Sequence, residues 1–192
     1  MGYKEKRGQK NNSGWIDKIV VMMYVKQEIQ RLDRLGFWPH HLPEIAATED
    51  QLKAAEEHLG HSLDIDYRSF LGCANGWKGF LRTVDLFGTS DLIGSSLMDY
   101  AASMLEIIDE ENVIAASGFS KAELLPIAVT REDKDLFVMS RATSHQPGVV
   151  IWFAGEEIDR FPTFEEYFLA MADYNRLVLE DLKKSEITQN GA

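Results

Sequence analysis

Apolar positions change period along this sequence, and the changes mark out its elements. Trp15, Ile19, Met22, Val25, Ile29 and Leu32 fall on one stripe of a helix that Ser13 can cap. It should run to about Leu35, where Gly36, Pro39 and Pro43 stop it. Leu52, Ala55 and Leu59 repeat at helical spacing behind Thr48 and Gln51, which have the pattern of a capping box, and Gly60 stands where a left-handed cap is needed. Asp64 is placed to cap a second short helix whose Tyr67, Phe70, Leu71 and Ala74 share one face. Asn75-Gly76 then supplies positive φ angles for a corner.

Beyond Trp77 the period shortens. Phe80 to Phe87 reads as a strand, Asp91 to Ser96 as a loop, and Met98 to Glu111 as a helix with Ala101, Met104, Leu105 and Ile108 inward. Strands follow at about 124–129, 135–140, 148–154 and 157–161, and their short gaps demand hairpins, because parallel pairing needs a longer crossover. Phe164 to Lys184 closes the pattern as a helix with Tyr167, Met171, Tyr174, Val178 and Leu182 on its buried stripe. This order predicts an α+β fold: a mainly antiparallel sheet of about four to six strands flanked by helices, with an extra N-terminal helix. The expected organisation is an extension over 1–42, with residues 1–12 loose, a main domain over 43–184 and a loose tail over 185–192.

Several of these residues also carry a family resemblance. Glu56 with Leu59-Gly60, then Leu63, Tyr67-Arg68, Phe70-Leu71 and Asn75-Gly76, resembles the signature of the SUKH superfamily. Leu125-Pro126-Ile127-Ala128, the strand Leu136-Phe137-Val138, Gly148 to Trp152, and Phe161 to Tyr167 resemble its later strands and last helix in order and spacing. The likeness extends from about Pro43 to about Leu182. Two departures stand out: Asp64 replaces a usual helix-starting proline, and the turn Glu132-Asp133-Lys134-Asp135 lacks a usual glycine. The superfamily includes a fungal cell-wall-signalling regulator and many bacterial immunity proteins. The resemblance therefore implies a compact cytoplasmic domain that binds a cognate secreted toxin, commonly a nuclease or deaminase. The alternative it implies is a protein–protein adaptor.

Charge sharpens that expectation. The 192 residues hold 31 acidic and 20 basic side chains, for a net charge of −11. Phosphate backbones repel such a surface, so direct nucleic-acid binding is disfavoured, whereas a basic protein is attracted. The single cysteine, Cys73, excludes an internal disulfide, which agrees with a reducing compartment. Lys4, Lys6, Arg7 and Lys10 ahead of Ile19 to Val25 superficially resemble a signal peptide, but the run is too short for a bilayer and continues into Lys26-Gln27-Glu28. No membrane anchor is expected.

A search for chemistry returns little. His40-His41 and the pair His58 and His61 lack any HExxH, CxxC or calcium-loop context, so no metal or cofactor is expected. No nucleophile elbow, P-loop or dinucleotide fingerprint occurs, and an enzyme is not expected. The candidate partner-binding residues are Trp77, Lys78 and Arg82 near the Asn-Gly corner, with the acidic Asp109, Glu110, Glu111, Asp133 and Asp135. For Trp77 both roles stand open, core packing and interface anchor. The first helix is a candidate to pack on the domain or to pair with a second copy as a homodimer.

Overall fold

A computed structural model describes residues 13–190, with side chains placed over 14–186. Seven helices and six strands are found among these residues. The first helix, α1 (Ser13–Leu32), buries Trp15, Ile19, Met22, Ile29 and Leu32, while Val25 is half-buried. It ends three residues earlier than the sequence suggests. Asp33 turns its carboxylate back to accept the N–H groups of Phe37 and Trp38, and Gly36 takes a φ of 66°.

α2 (Glu49–Leu59) starts on the capping box of Thr48 and Gln51 and stops at left-handed Gly60. α3 (Ile65–Leu71) is capped by Asp64, whose Oδ1 accepts from the N–H of Asp66 and Tyr67. The following corner differs from expectation. Only Gly76 has positive φ; Asn75 acts through its side chain, which accepts from Thr89 N–H at 2.8 Å and donates to Thr89 Oγ1 at 2.9 Å.

The stretch expected as one strand is a hairpin, β1 (Trp77–Leu81) and β2 (Val84–Leu86), reversed at Arg82 with a φ of 52°. The expected loop after it is a short helix, α4 (Thr89–Gly94), which Asn75 helps to start. α5 (Ser96–Glu110) and α6 (Val113–Ala116) follow, then a single 3₁₀ turn at Lys121–Glu123. β3 (Leu124–Val129), β4 (Leu136–Ser140), β5 (Val150–Phe153) and β6 (Glu157–Phe161) complete the sheet. All neighbours are antiparallel and the spatial order is β1 to β6, a continuous meander. α7 (Phe164–Asn190) closes the fold and continues past Lys184.

Both faces of the sheet are covered, which is why β3 and β4 are buried at every position. Successive strand residues point to opposite faces, and β6 shows what each face meets. Phe161 packs on Tyr167 of α7, while Arg160 donates to the carbonyl of Ser117 at the end of α6. α7, α3 and α1 therefore share one side, held by an aromatic cluster in which Trp15 meets Phe70, Phe164 and Phe168. α5 and α6 cover the other. α1 and α7 run parallel: Trp15 lies against Phe164, Lys18 pairs with Glu165 at 3.2 Å, and Arg34 pairs with Glu186.

Candidate functional site

The orientation of α5 fixes where the acidic residues lie. Arg131, just past β3, donates to Ser96 at the start of α5, and Lys121, just before β3, pairs with Glu106 and Asp109 near its end. α5 therefore lies antiparallel along β3. Asp109, Glu110 and Glu111 stand at one end of the sheet. Arg82, Asp133 and Asp135 gather at the other, where Thr83 Oγ1 and Thr130 Oγ1 meet at 2.9 Å and join the two turns. The candidate residues thus form two groups rather than one surface.

Their exposure differs as well. Lys78, Arg82, Glu110, Glu111 and Asp133 are exposed, and Asp109 is half-buried. Asp135 is half-buried and accepts the indole N–H of Trp152 at 2.8 Å. Burial pushes its carboxyl above the usual range, and Asp133 adds to this, while the Trp152 donor and the Arg82 charge oppose it. Trp77 takes the core role. It is 1% exposed and donates Nε1–H to the carbonyl of His41 at 2.9 Å, so its indole offers no contact surface. Its place on β1 turns it under the 41–44 loop, where Glu44 N–H binds the Gly76 carbonyl.

A groove that sequence reading missed lies between these groups. β2 is only three residues long, and its pairing with β3 reaches no further than Ala128, with Phe87 N–H adding the Ile127 carbonyl. The first half of β3 has no strand on that side, and Pro126, which lacks an N–H, is tolerated there. The space is an open groove of about 500 Å³. Leu92, Leu105, Leu124, Leu125 and Pro126 form its floor, Leu59 of α2 one wall, and Met98 and Ala102 of α5 the other.

The acidic residues that line the groove, Asp99 and Glu106, both stand on the α5 wall. α5 carries Asp99, Glu106, Asp109 and Glu110 and no basic residue. α2 lines the groove with His58 and Leu59, and its Glu49, Asp50, Glu56 and Glu57 lie off that lining. Glu49 and Glu56 are held by Arg68, which leaves Asp50 and Glu57 exposed. The two basic groups lining the groove are already engaged, Lys121 by Glu106 and Asp109 and Arg141 by the Leu124 carbonyl.

Leu125 and Arg141 also border a narrow cavity of about 60 Å³ beside the cap of α3. Two acceptors face it. Asp64 Oδ2 lies so close to Gly148 that a Cβ there would stand 3.0 Å away, and burial raises the Asp64 carboxyl above its ordinary range. His61 Nδ1 sits 2.9 Å from the Ser62 carbonyl, so Nδ1 carries the proton and the buried Nε2 is left as an acceptor without a partner. Among the described residues no group of three or more His, Cys, Asp or Glu could hold a metal ion, and no helix is long and apolar enough to cross a membrane.

Residues 46–170 match the model of the SMI1/KNR4 family (SUKH-1). This chain belongs to that family. The match spans α2 to the start of α7 and so contains the whole groove, both acidic groups and the complete sheet. SUKH-1 domains are known for immunity proteins and regulators. No curated protein matches the chain. α1 and most of α7 lie outside the SUKH-1 match.

Proposed function

We propose that this SUKH-1 chain is a bacterial immunity protein that binds a cognate secreted toxin in the cytoplasm and blocks its positively charged substrate surface. The observation that carries the reading is the groove between α2 and α5, with an apolar floor and Asp99 and Glu106 on its α5 wall. A basic partner is attracted by a chain of net charge −11 and aligned by the α5 wall, and its apolar anchors are then desolvated on the floor. The unpaired acceptor of His61 and the second oxygen of Asp64 offer end points for donors that reach the narrow cavity. A nuclease or other nucleic-acid-directed enzyme fits, because a surface that grips phosphates is basic. Asp109, Glu110 and Glu111 extend the α5 wall and belong to this contact, whereas Arg82, Asp133 and Asp135 lie at the far end and serve as its outer rim.

The test is co-expression with candidate toxin domains, scored by growth rescue and by isolation of a one-to-one complex. Ala102→Arg, on the exposed α5 wall, should abolish rescue while the circular dichroism spectrum stays unchanged. Rescue that survives both Ala102→Arg and the triple change Asp109→Lys, Glu110→Lys, Glu111→Lys would remove the groove from the interface. Capture of several weak partners in place of one tight one would favour the adaptor.

A further inference from the structure

The Asn75-Gly76 corner carries a reactive dipeptide that partner binding does not use. Asparagine is among the thermally labile residues, and a following glycine has no side chain to shield its nitrogen from the asparagine amide carbon. In a free chain the Gly76 nitrogen, stripped of its proton by hydroxide, attacks Cγ of Asn75. An N–C bond forms, the Cγ–Nδ2 bond breaks, and ammonia leaves. Water then opens the cyclic imide at either carbonyl. One opening gives aspartate. The other gives isoaspartate, in which the main chain runs through Cβ and Cγ and is one carbon longer.

In the folded chain every group that must move is tied down. Asn75 Oδ1 accepts from Thr89 N–H at 2.8 Å, and Nδ2 donates to Thr89 Oγ1 at 2.9 Å. Gly76 N–H donates to the Ala74 carbonyl at 2.9 Å. Asn75 N–H donates to the Glu44 carbonyl at 3.3 Å, and Glu44 N–H to the Gly76 carbonyl at 3.0 Å. Gly76 is buried, and the Gly88 backbone lies across it, so that a Cβ on Gly76 would stand 2.6 Å from Gly88 N. Ring closure needs the Asn75 side chain to leave Thr89 and the peptide to rotate, and the crossing chain opposes both.

We infer that Asn75-Gly76 is a deamidation site that the native fold protects, and that its isoaspartate product cannot refold. Reaction runs through opened molecules, so the rate in a folded sample is the unfolded rate multiplied by the opened fraction. The two products then part ways. Aspartate keeps the chain length, and its carboxylate accepts from both the N–H and the hydroxyl of Thr89. Isoaspartate inserts a main-chain carbon where a Cβ on Gly88 would lie only 2.2 Å from the Asn75 carbonyl oxygen, and it displaces the acceptor that starts α4. Leu92 of α4 belongs to the groove floor, so the lesion removes the groove as well. The inference holds whatever partner occupies that groove.

The experiment ages the full chain in mildly alkaline buffer, folded in one sample and in urea in the other. Peptide mapping by mass spectrometry separates Asn75 from Asn190-Gly191, the other such pair, and reads the loss of amide. Labelling with isoaspartyl methyltransferase reads isoaspartate. Deamidation at Asn75 should be at least about a hundredfold slower in the folded sample than in urea. After the urea is removed, chains that regain the native circular dichroism spectrum should lack isoaspartate at position 75, and Asn75→Asp should fold. Comparable rates at Asn75 in the two samples would overturn the protection. Isoaspartate at 75 in the refolded fraction, or an Asn75→Asp chain that fails to fold, would overturn the block at isoaspartate.

Discussion

Two buried tyrosines show how single polar atoms decide the balance of this core. Tyr67 and Tyr167 are both fully buried, and burial raises both phenols well above their usual range. Tyr67 donates its hydroxyl to the Phe87 carbonyl at 2.9 Å, whereas the Tyr167 hydroxyl has no partner. Tyr67→Phe should lower stability by about 1–2 kcal/mol, because a buried carbonyl loses its donor. Tyr167→Phe should be neutral or stabilising, because it removes an unsatisfied group. Urea unfolding of the two variants checks the contrast. Lys26 is the other exception: it lies on the inner face of α1, 6% exposed, donating to the Gly79 carbonyl. Burial pulls its ammonium down to about 8 from 10.5. Over that window the unfolded chain binds more protons than the folded one, so stability rises as pH increases from about 8 to 10.5, and the penalty is complete below 8. Lys26→Met should gain on the order of 1–2 kcal/mol at pH 7, after loss of the carbonyl contact, and should flatten the rise. Unfolding measured across that pH range decides it. The inner stripe of α1 was legible from apolar spacing alone, but Lys26 was not, because a lysine among hydrophobic positions reads as a solvent-facing residue until its Nζ partner is known.

At the level of elements, caps were the most legible signals. Thr48, Gln51, Gly60 and Asp64 act through neighbours within three residues, so their pattern survives in sequence. The β1–β2 reversal was hidden because Arg82, and not a glycine, adopts the positive φ. α4 was hidden because its start depends on Asn75, fourteen residues earlier in the chain. The same corner is also the tightest backbone crossing. A Cβ on Gly88 would lie 2.2 Å from the Asn75 carbonyl oxygen, and one on Gly76 would lie 2.6 Å from Gly88 N. Neither backbone atom can rotate away, so Gly88→Ala should cost at least about 1–3 kcal/mol, the range for overpacking. Gly118→Ala meets nothing within 4 Å and pays only for its φ of 86°, so it should cost less. The two midpoints in one thermal-unfolding series test the ranking. The groove was illegible for a related reason: it exists because β2 is too short to accompany β3, and strand length is set by pairing.

For the whole molecule, the excess of carboxylates makes association with a basic partner a rate effect. Encounter is accelerated by the attraction between opposite net charges, and salt screens it with a Debye length of about 8 Å at physiological ionic strength. Stopped-flow association with the cognate toxin should slow at least tenfold between low and high salt, while dissociation changes little; a salt-independent on-rate would remove steering from the mechanism. The net charge was readable from composition, but the placement of Asp99 and Glu106 along one groove was not, because it depends on how α5 lies along β3.

The meander order has a consequence for synthesis. Each strand pairs with the one made just before it, so the sheet can zip in the direction of translation. α1 is made before every strand, yet its partner α7 is made after all of them. Until Phe164 and Phe168 leave the ribosome, the indole of Trp15 lacks two of the three aromatic rings it packs on among the described residues. The nascent chain therefore carries a sticky, unfinished helix through most of its elongation, and release of the last segment is the event that locks it.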